Sequence, residues 1–385
     1  MIRYIAKRLG QMFLLFLVFL FLTFFILQAL PGDAILTKLT GNPNLPPEAI
    51  EIARERLGLD KPPLVQFWDY LVNFFQGDFG FSYWYYPRPV EDLIAERLPR
   101  TLVLFTTALL ITYWAGFITG KYLAWRRNTR GEMAITVAGV ALYTVFYPWF
   151  AILLIWLFAI EMELLPINQF ITPSLWAGSG VLSNDVFLLM TYTSGLLVLA
   201  LFTLSRVTHR LENVSLGRAL RLGGGVLMAA VYALFWAGRP ELEFALDIGY
   251  HMILPVLTLT LIGFAGIMLL TRSSMLETMK EDYILTARAK GLREREVRDN
   301  HAARTALLPV TTSLVLAVAT VIDGGVVTET VFSWPGMGEL LVTAVTQEDV
   351  PVALAAFSFV GVLAVLGHLI ADILYGILDP RIRVS

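Results

Sequence analysis

The sequence contains no cysteine. Disulfides, thiolate-bound zinc, iron–sulfur clusters and thiol nucleophiles are therefore excluded. Charge is also scarce. Asp, Glu, Lys and Arg make up 16% of the 385 residues, against about 25% in a typical soluble domain. The formal net charge is −2, with no basic patch to suggest a nucleic-acid partner. The four histidines, His209, His251, His301 and His368, are scattered and make no H-E-x-x-H spacing. The nearest approach to a phosphate loop is Gly116-Phe-Ile-Thr-Gly120-Lys121. It has three residues between its glycines where a P-loop has four, Tyr122 in place of Ser or Thr, and no strand before it. Gly80-Phe-Ser82-Tyr lacks a paired base. No catalytic, cofactor-binding or metal-ligating set is expected.

Apolar residues, in contrast, are abundant. They make up 57% of the chain, and the mean hydropathy is +0.67. The composition is that of an integral membrane protein. Apolar runs long enough to span a bilayer are expected at 1–30, 101–123, 132–160, 186–204, 222–238, 251–271, 306–322 and 352–375. Pro148 should kink the third, and Gly223-Gly-Gly225 should allow close packing of the fifth. Basic residues mark one side: Arg3, Lys7 and Arg8 at the start, Arg126, Arg127 and Arg130, then Arg206, His209, Arg210, Arg218 and Arg221. That side also holds eight Lys or Arg between Arg272 and Arg304. The stretches 161–185 and 323–350 carry none. The expected topology has eight spans with both termini in the cytoplasm. Asp323 and Asp372 are the acidic residues nearest the membrane interior and read as interfacial or bundle-facing.

Residues 31–99 are polar, proline-rich and aromatic, and read as an extracytoplasmic segment. Pro47 to Leu57 is an amphipathic helix candidate. Leu64, Phe67, Trp68, Leu71 and Phe75 form an apolar stripe at helical spacing. The ring-dense run Phe79 to Tyr86 reads as an aromatic belt at headgroup level, with a ligand-stacking site as the alternative.

One polar stretch interrupts the apolar pattern, Glu281 to Pro309. Its first half reads as a short helix. Thr278 and Glu281 have capping-box spacing, acidic residues sit at its start and basic ones at its end, and Gly291 is placed to end it with a positive φ. Ile284, Ala287 and Gly291 share one small, shallow face that a partner backbone could approach. A second helical stretch, about 294–304, runs to Pro309, which can begin the next apolar helix. The same pattern also fits a solvated loop between two membrane helices. The sharper reading is a docking element.

The run Thr286-Ala-Arg-Ala-Lys-Gly-Leu292, then His301-Ala and Ala306-Leu-Leu-Pro309, resembles the EAA loop of ABC importer membrane subunits, most of all the peptide-importer branch. It has Leu285-Thr286-Ala287 where the general pattern has Glu-Ala-Ala, and a longer gap after Gly291. Both departures are habits of the peptide/nickel branch. Gly77-Asp-Phe-Gly80-x-Ser82, Arg97-Leu-Pro-x-Thr101-Leu102, Leu164-Leu-Pro166 and Val331-Phe-Ser-Trp-Pro-Gly336-x-Gly338 match the same family in order.

The resemblance implies an all-α polytopic permease that is not itself an enzyme: a six-helix core with two added spans in 172–248, a permease domain over 100–375, a coupling loop over 272–305 and a tail over 376–385. It implies ATPase coupling through Tyr283, Ile284, Ala287, Arg288, Lys290, Gly291 and Leu292. The implied partners are a homologous second permease, two ATPase subunits and an extracytoplasmic substrate-binding protein. The implied cargo is di- or oligopeptides, with nickel, glutathione or oligosaccharides as alternatives within the branch. A stand-alone channel or membrane enzyme is the rival class.

Overall fold

The computed structural model describes residues 2–28, 61–209, 214–320 and 325–378. Among these the chain is helical, with no strand and a single isolated bridge between Phe81 and Pro89. It is an all-α polytopic membrane protein. Among the described residues six helices are long and apolar enough to cross a membrane, or up to seven if one bent pair counts as a span. The expected count of eight is not confirmed among them, and the span expected at 306–322 runs beyond the described residues. The candidate stretch Pro47 to Leu57 and Asp323 lie outside the described residues.

Two compact units divide the chain. The first comprises Met1–Leu157 with Pro255–Ser385, the second Phe158–Leu254. In the first unit, α1 (Ile2–Gln28) is followed by α2 (Pro63–Gln76). The ring of Phe74 lies 5.7 Å from Phe16, and Phe67 lies 5.6 Å from Phe24. The eight residues from Phe16 to Phe24 rise about 12 Å at 1.5 Å each. Thus α2 runs antiparallel along the apolar body of α1. Its inward face is Phe67, Tyr70 and Phe74, at i, i+3 and i+7. The stripe expected at 64–75 is rotated from this: Leu64, Trp68 and Phe75 are exposed. Periodicity located an amphipathic helix but could not tell a core face from a lipid-compatible one.

Helix α3 (Val90–Trp125) is long and contains Pro99. After it, the expected third span is instead two helices, α4 (Arg130–Thr144) and α5 (Tyr147–Ile155), the latter extended by a π-helical turn Trp156–Glu161. The two are bent by 108°. Pro148 therefore does not kink a continuous helix. It sits in the first turn of α5, where its missing N–H leaves no bond unmade. Thr129 caps α4 by accepting from the Glu132 amide.

The second unit holds α6 (Pro173–Trp176), α7 (Ser183–His209), α8 (Val214–Ala237) and the start of α9 (Leu242–Thr278). The segment expected as added, 172–248, lies inside this unit. A Cβ on Gly224 would stand 2.9 Å from Leu204, so the close α7–α8 packing expected of the triple glycine is present at its middle residue. Asp247 gathers the loop before α6 by accepting from the Thr172 amide at 2.9 Å and the Trp176 indole at 2.8 Å.

Back in the first unit, the P-loop-like glycines prove to be packing glycines. A Cβ at Gly116 would lie 2.8 Å from Ile267, and one at Gly120 would lie 2.7 Å from Thr271. The G-x-x-x-G spacing lets α3 and α9 approach closely in an apolar medium. The chain then runs through α10 (Asp282–Ala289), α11 (Glu294–Glu296), a π-helical turn Val297–Ala302 and α12 (Ala303–Thr320). It closes with α13 (Val326–Val331), α14 (Met337–Thr346) and α15 (Val350–Leu378). Pro309 lies inside α12 and does not begin it.

Candidate functional site

The sequence-identified loop is a helix–glycine–helix element. Helix α10 begins at Glu281 without a side-chain cap. The expected capping box does not form, because the Thr278 hydroxyl instead donates to Ser274 O one turn back in α9. The other end is as expected. Gly291 has φ +76°, its amide donates to Arg288 O at 2.9 Å, and the Leu292 amide reaches Ala287 O at 3.4 Å. These are the two bonds of a Schellman stop. Residue 291 must be left-handed, and glycine adopts that without strain.

The face formed by Ile284 and Ala287 points inward. Both are buried, in a cluster with Ala124, Met275, Val297, Ala302, Ala303 and Ala306. The small residues thus seat the loop on the ends of α3, α9 and α12. The opposite side is open: Tyr283, Leu285, Arg288, Lys290, Gly291 and Leu292 are exposed, Leu285 at 69%. Of the seven residues singled out, Ile284 and Ala287 support α10 from below. The other five lie on the outer side or at its end. Leu285, overlooked in the sequence, is the most prominent apolar residue there.

Polar contacts hold the loop in place. Tyr283 donates to Thr305 at 2.9 Å. Arg288 pairs with Glu294 at 3.1 Å and lies over the Trp125 ring. Asp299 receives Arg298 at 2.9 Å and Lys121 of α3 at 3.0 Å. Hydrogen bonds from Arg298 and Lys121, with their charges, lower the Asp299 carboxyl to about 2. Deeper in, Glu132 of α4 pairs with Arg272 of α9 at 2.6 Å.

A second polar centre escaped the sequence reading. Glu329, in α13, is fully buried. It accepts from the amides of Gly338 at 2.6 Å and Glu339 at 3.1 Å, at the start of α14, and from the Thr101 hydroxyl at 2.7 Å. A carboxylate there satisfies orphan amides and meets the positive end of the helix dipole. Burial pushes the carboxyl up to about 7 against the pull of these donors. The glycines make room for it. A Cβ on Gly336 would collide with the Glu329 carboxylate, and one on Gly338 would lie 2.6 Å from the Val326 backbone. Trp334 is fully buried and donates to Arg100 O at 3.2 Å. Arg97 reaches Glu339 at 2.9 Å. Nearby, Asp349 accepts from Ser82 and, at 3.0 Å, from the Trp84 amide. This pins the aromatic run 79–86 against the core, where Phe79, Tyr83, Tyr85 and Tyr86 pack. The signals available were an acid seven and nine residues before two glycines, and an Asp directly before a Val-Pro helix start.

The helices, the seated loop and the braced glycine motif define a polytopic membrane protein whose helix α10 has a buried inner face and an exposed outer one. Comparison with known proteins gives the class. Residues 113–384 match the family described as binding-protein-dependent transport system inner membrane component, and residues 1–105 match its N-terminal model. The chain belongs to this family. It is 32% identical over 386 residues to the di/tripeptide transport system permease protein DppB of Pseudomonas aeruginosa, covering 100% of this chain and 99% of that protein. It is 32% identical to the dipeptide transport system permease protein DppB of Escherichia coli K12, with the same coverage. The oligopeptide transport system permease protein AppB of Bacillus subtilis is 31% identical over 100% of both chains.

Proposed function

We propose that this chain is the membrane-spanning permease subunit of an ATP-driven importer of di- or oligopeptides, and that α10 is its coupling helix. Similarity to peptide permeases over the whole chain supports the cargo class. The single observation that carries the coupling role is the two-sidedness of α10: an anchored inner face and an open outer face carrying Leu285 and Arg288. A force applied to that outer face reaches α3, α9 and α12 through buried contacts and not through a slack tether. In this reading the outer face seats on an ATPase subunit, and Tyr283, Arg288, Lys290, Gly291 and Leu292 border the contact. Two ATPase subunits, a sister permease and an external binding protein complete the importer, and both termini lie in the cytoplasm. ATP-driven closure of the ATPases biases a bistable helix bundle between inward-open and outward-open arrangements.

The test is co-purification of the detergent-solubilised chain with its partners, followed by ATPase assay. The wild type should bring down ATPase subunits. Leu285→Glu should insert and fold normally but lose them and lose peptide uptake. Normal uptake by that variant would overturn the docking assignment. Co-purification of a binding protein loaded with nickel, glutathione or an oligosaccharide would overturn the cargo.

A further inference from the structure

A pocket of about 310 Å³ opens beside the coupling loop. Its floor is Trp125, Leu276 and Met279, and its polar wall is Arg127, Lys280, Arg288 and Glu294. Arg288 is already neutralised by Glu294 at 3.1 Å. Arg127 and Lys280 have no ion-pair partner among the described residues. Two uncompensated cations thus face one small cavity. An anion is the ligand this charge arrangement calls for.

The position of the pocket selects the kind of anion. Trp125 is the last residue of α3, and Leu276 lies in the last turn of α9, both candidate spans. The pocket therefore lies at the ends of two helices that are candidate spans, the place where a headgroup layer would begin. Trp125, Leu276 and Met279 give it an apolar side, and tryptophan is a residue favoured at membrane interfaces. We propose that this pocket binds the phosphate headgroup of an anionic glycerophospholipid through Arg127 and Lys280. The glycerol backbone would rest on Trp125 and Met279. Basic pockets of this kind at span ends are recognised lipid sites. The lipid would touch span ends and loop together, because Arg288 and Glu294 belong to the loop. Loop rigidity, and with it coupling, would then depend on the anionic lipid content of the leaflet. Binding itself does not rest on the docking assignment, only the regulatory consequence does.

The experiment is native mass spectrometry of the intact importer complex, taken from nanodiscs of phosphatidylcholine with one-fifth phosphatidylglycerol. The wild type should retain phosphatidylglycerol in preference to phosphatidylcholine. Arg127→Gln with Lys280→Gln should weaken retention about thirtyfold, from about 1 kcal/mol per cation. Arg126→Gln, at a neighbouring exposed position outside the pocket, should retain it. Equal loss in Arg126→Gln would mean a diffuse basic surface and overturn the site. Displacement by millimolar inorganic phosphate or ATP would assign the pocket to a soluble anion and overturn the lipid. Lipid that is bound by the chain alone but lost in the complex would give the pocket to an acidic group of the ATPase subunit. Should the double variant fail to assemble, a photoreactive phosphatidylglycerol on the wild type decides. Cross-links at Trp125 or Met279 support the site, and cross-links confined to other segments overturn it. Lipid retained at wild-type strength by the double variant would overturn the site, whereas normal uptake by Leu285→Glu would count against the docking assignment alone.

Discussion

Two polar regions interrupt the apolar chain, and they are built in opposite ways. The loop around α10 keeps its charges at the surface and buries only small or apolar side chains, Ile284, Ala287 and Val297. The centre around Glu329 buries its carboxyl group and lines it with donors and glycines. Surface ion pairs such as Arg288–Glu294 contribute about 0–1 kcal/mol each, so the loop can lose one and remain seated. A buried carboxylate that bonds three groups is different, because removing it strands all three. The first arrangement leaves an outer surface open to solvent. The second suits a brace that must not move.

The comparison can be broken most forcefully at Trp334. Trp334→Ala should destabilise the protein by about 4 kcal/mol, enough to lose most folded material. Thermal unfolding in detergent, followed by fluorescence, measures this. An unchanged midpoint would mean that the centre is not a brace. Gly338→Ala should come next, at about 2 kcal/mol, since its Cβ meets backbone that cannot rotate away. The same substitution at Gly291 meets nothing in space but leaves a non-glycine residue at φ +76°, costing about 1 kcal/mol. Arg288→Ala should change stability by less than about 0.5 kcal/mol, and its effect should fall on ATPase association.

Proton linkage gives the two regions opposite signs. Glu329 has its carboxyl raised from 4.5 to about 7, so the folded state holds its proton more tightly than the unfolded state. Its contribution is complete below about pH 4.5 and is lost as pH rises through 7. Asp299 is lowered from 3.8 to about 2. Its contribution is present above pH 3.8 and is lost as pH falls toward 2. Unfolding midpoints measured from pH 5 to 8 should therefore fall, and Glu329→Gln should flatten the slope while Asp299→Asn leaves it. A slope unaffected by Glu329→Gln would remove that residue as its source.

Much of this protein was already decided along the chain. Apolar length and the distribution of Arg and Lys marked membrane helices. The spacing of motifs marked the family. Gly291 could be assigned a left-handed φ because a helix stop at that place has a local geometric demand that glycine meets. Tertiary structure decided the rest. A 3.6-residue period defines the Ile284–Ala287 face but holds no information about what covers it, and the protein's own helices cover it. The apolar stripe on α2 shows the same limit, since α1 takes Phe67, Tyr70 and Phe74 and leaves Trp68 outside. Pro148 can kink one helix or start another, and the chain direction after Thr144 selected the second. Glu329 reads as an ordinary polar residue between two threonines. Only when Thr101 is brought across 228 positions of sequence, and Gly338 folds back against α13, do its donors exist. Local geometry is written in neighbouring residues, whereas the partner of a buried face or charge depends on contacts far apart in the chain.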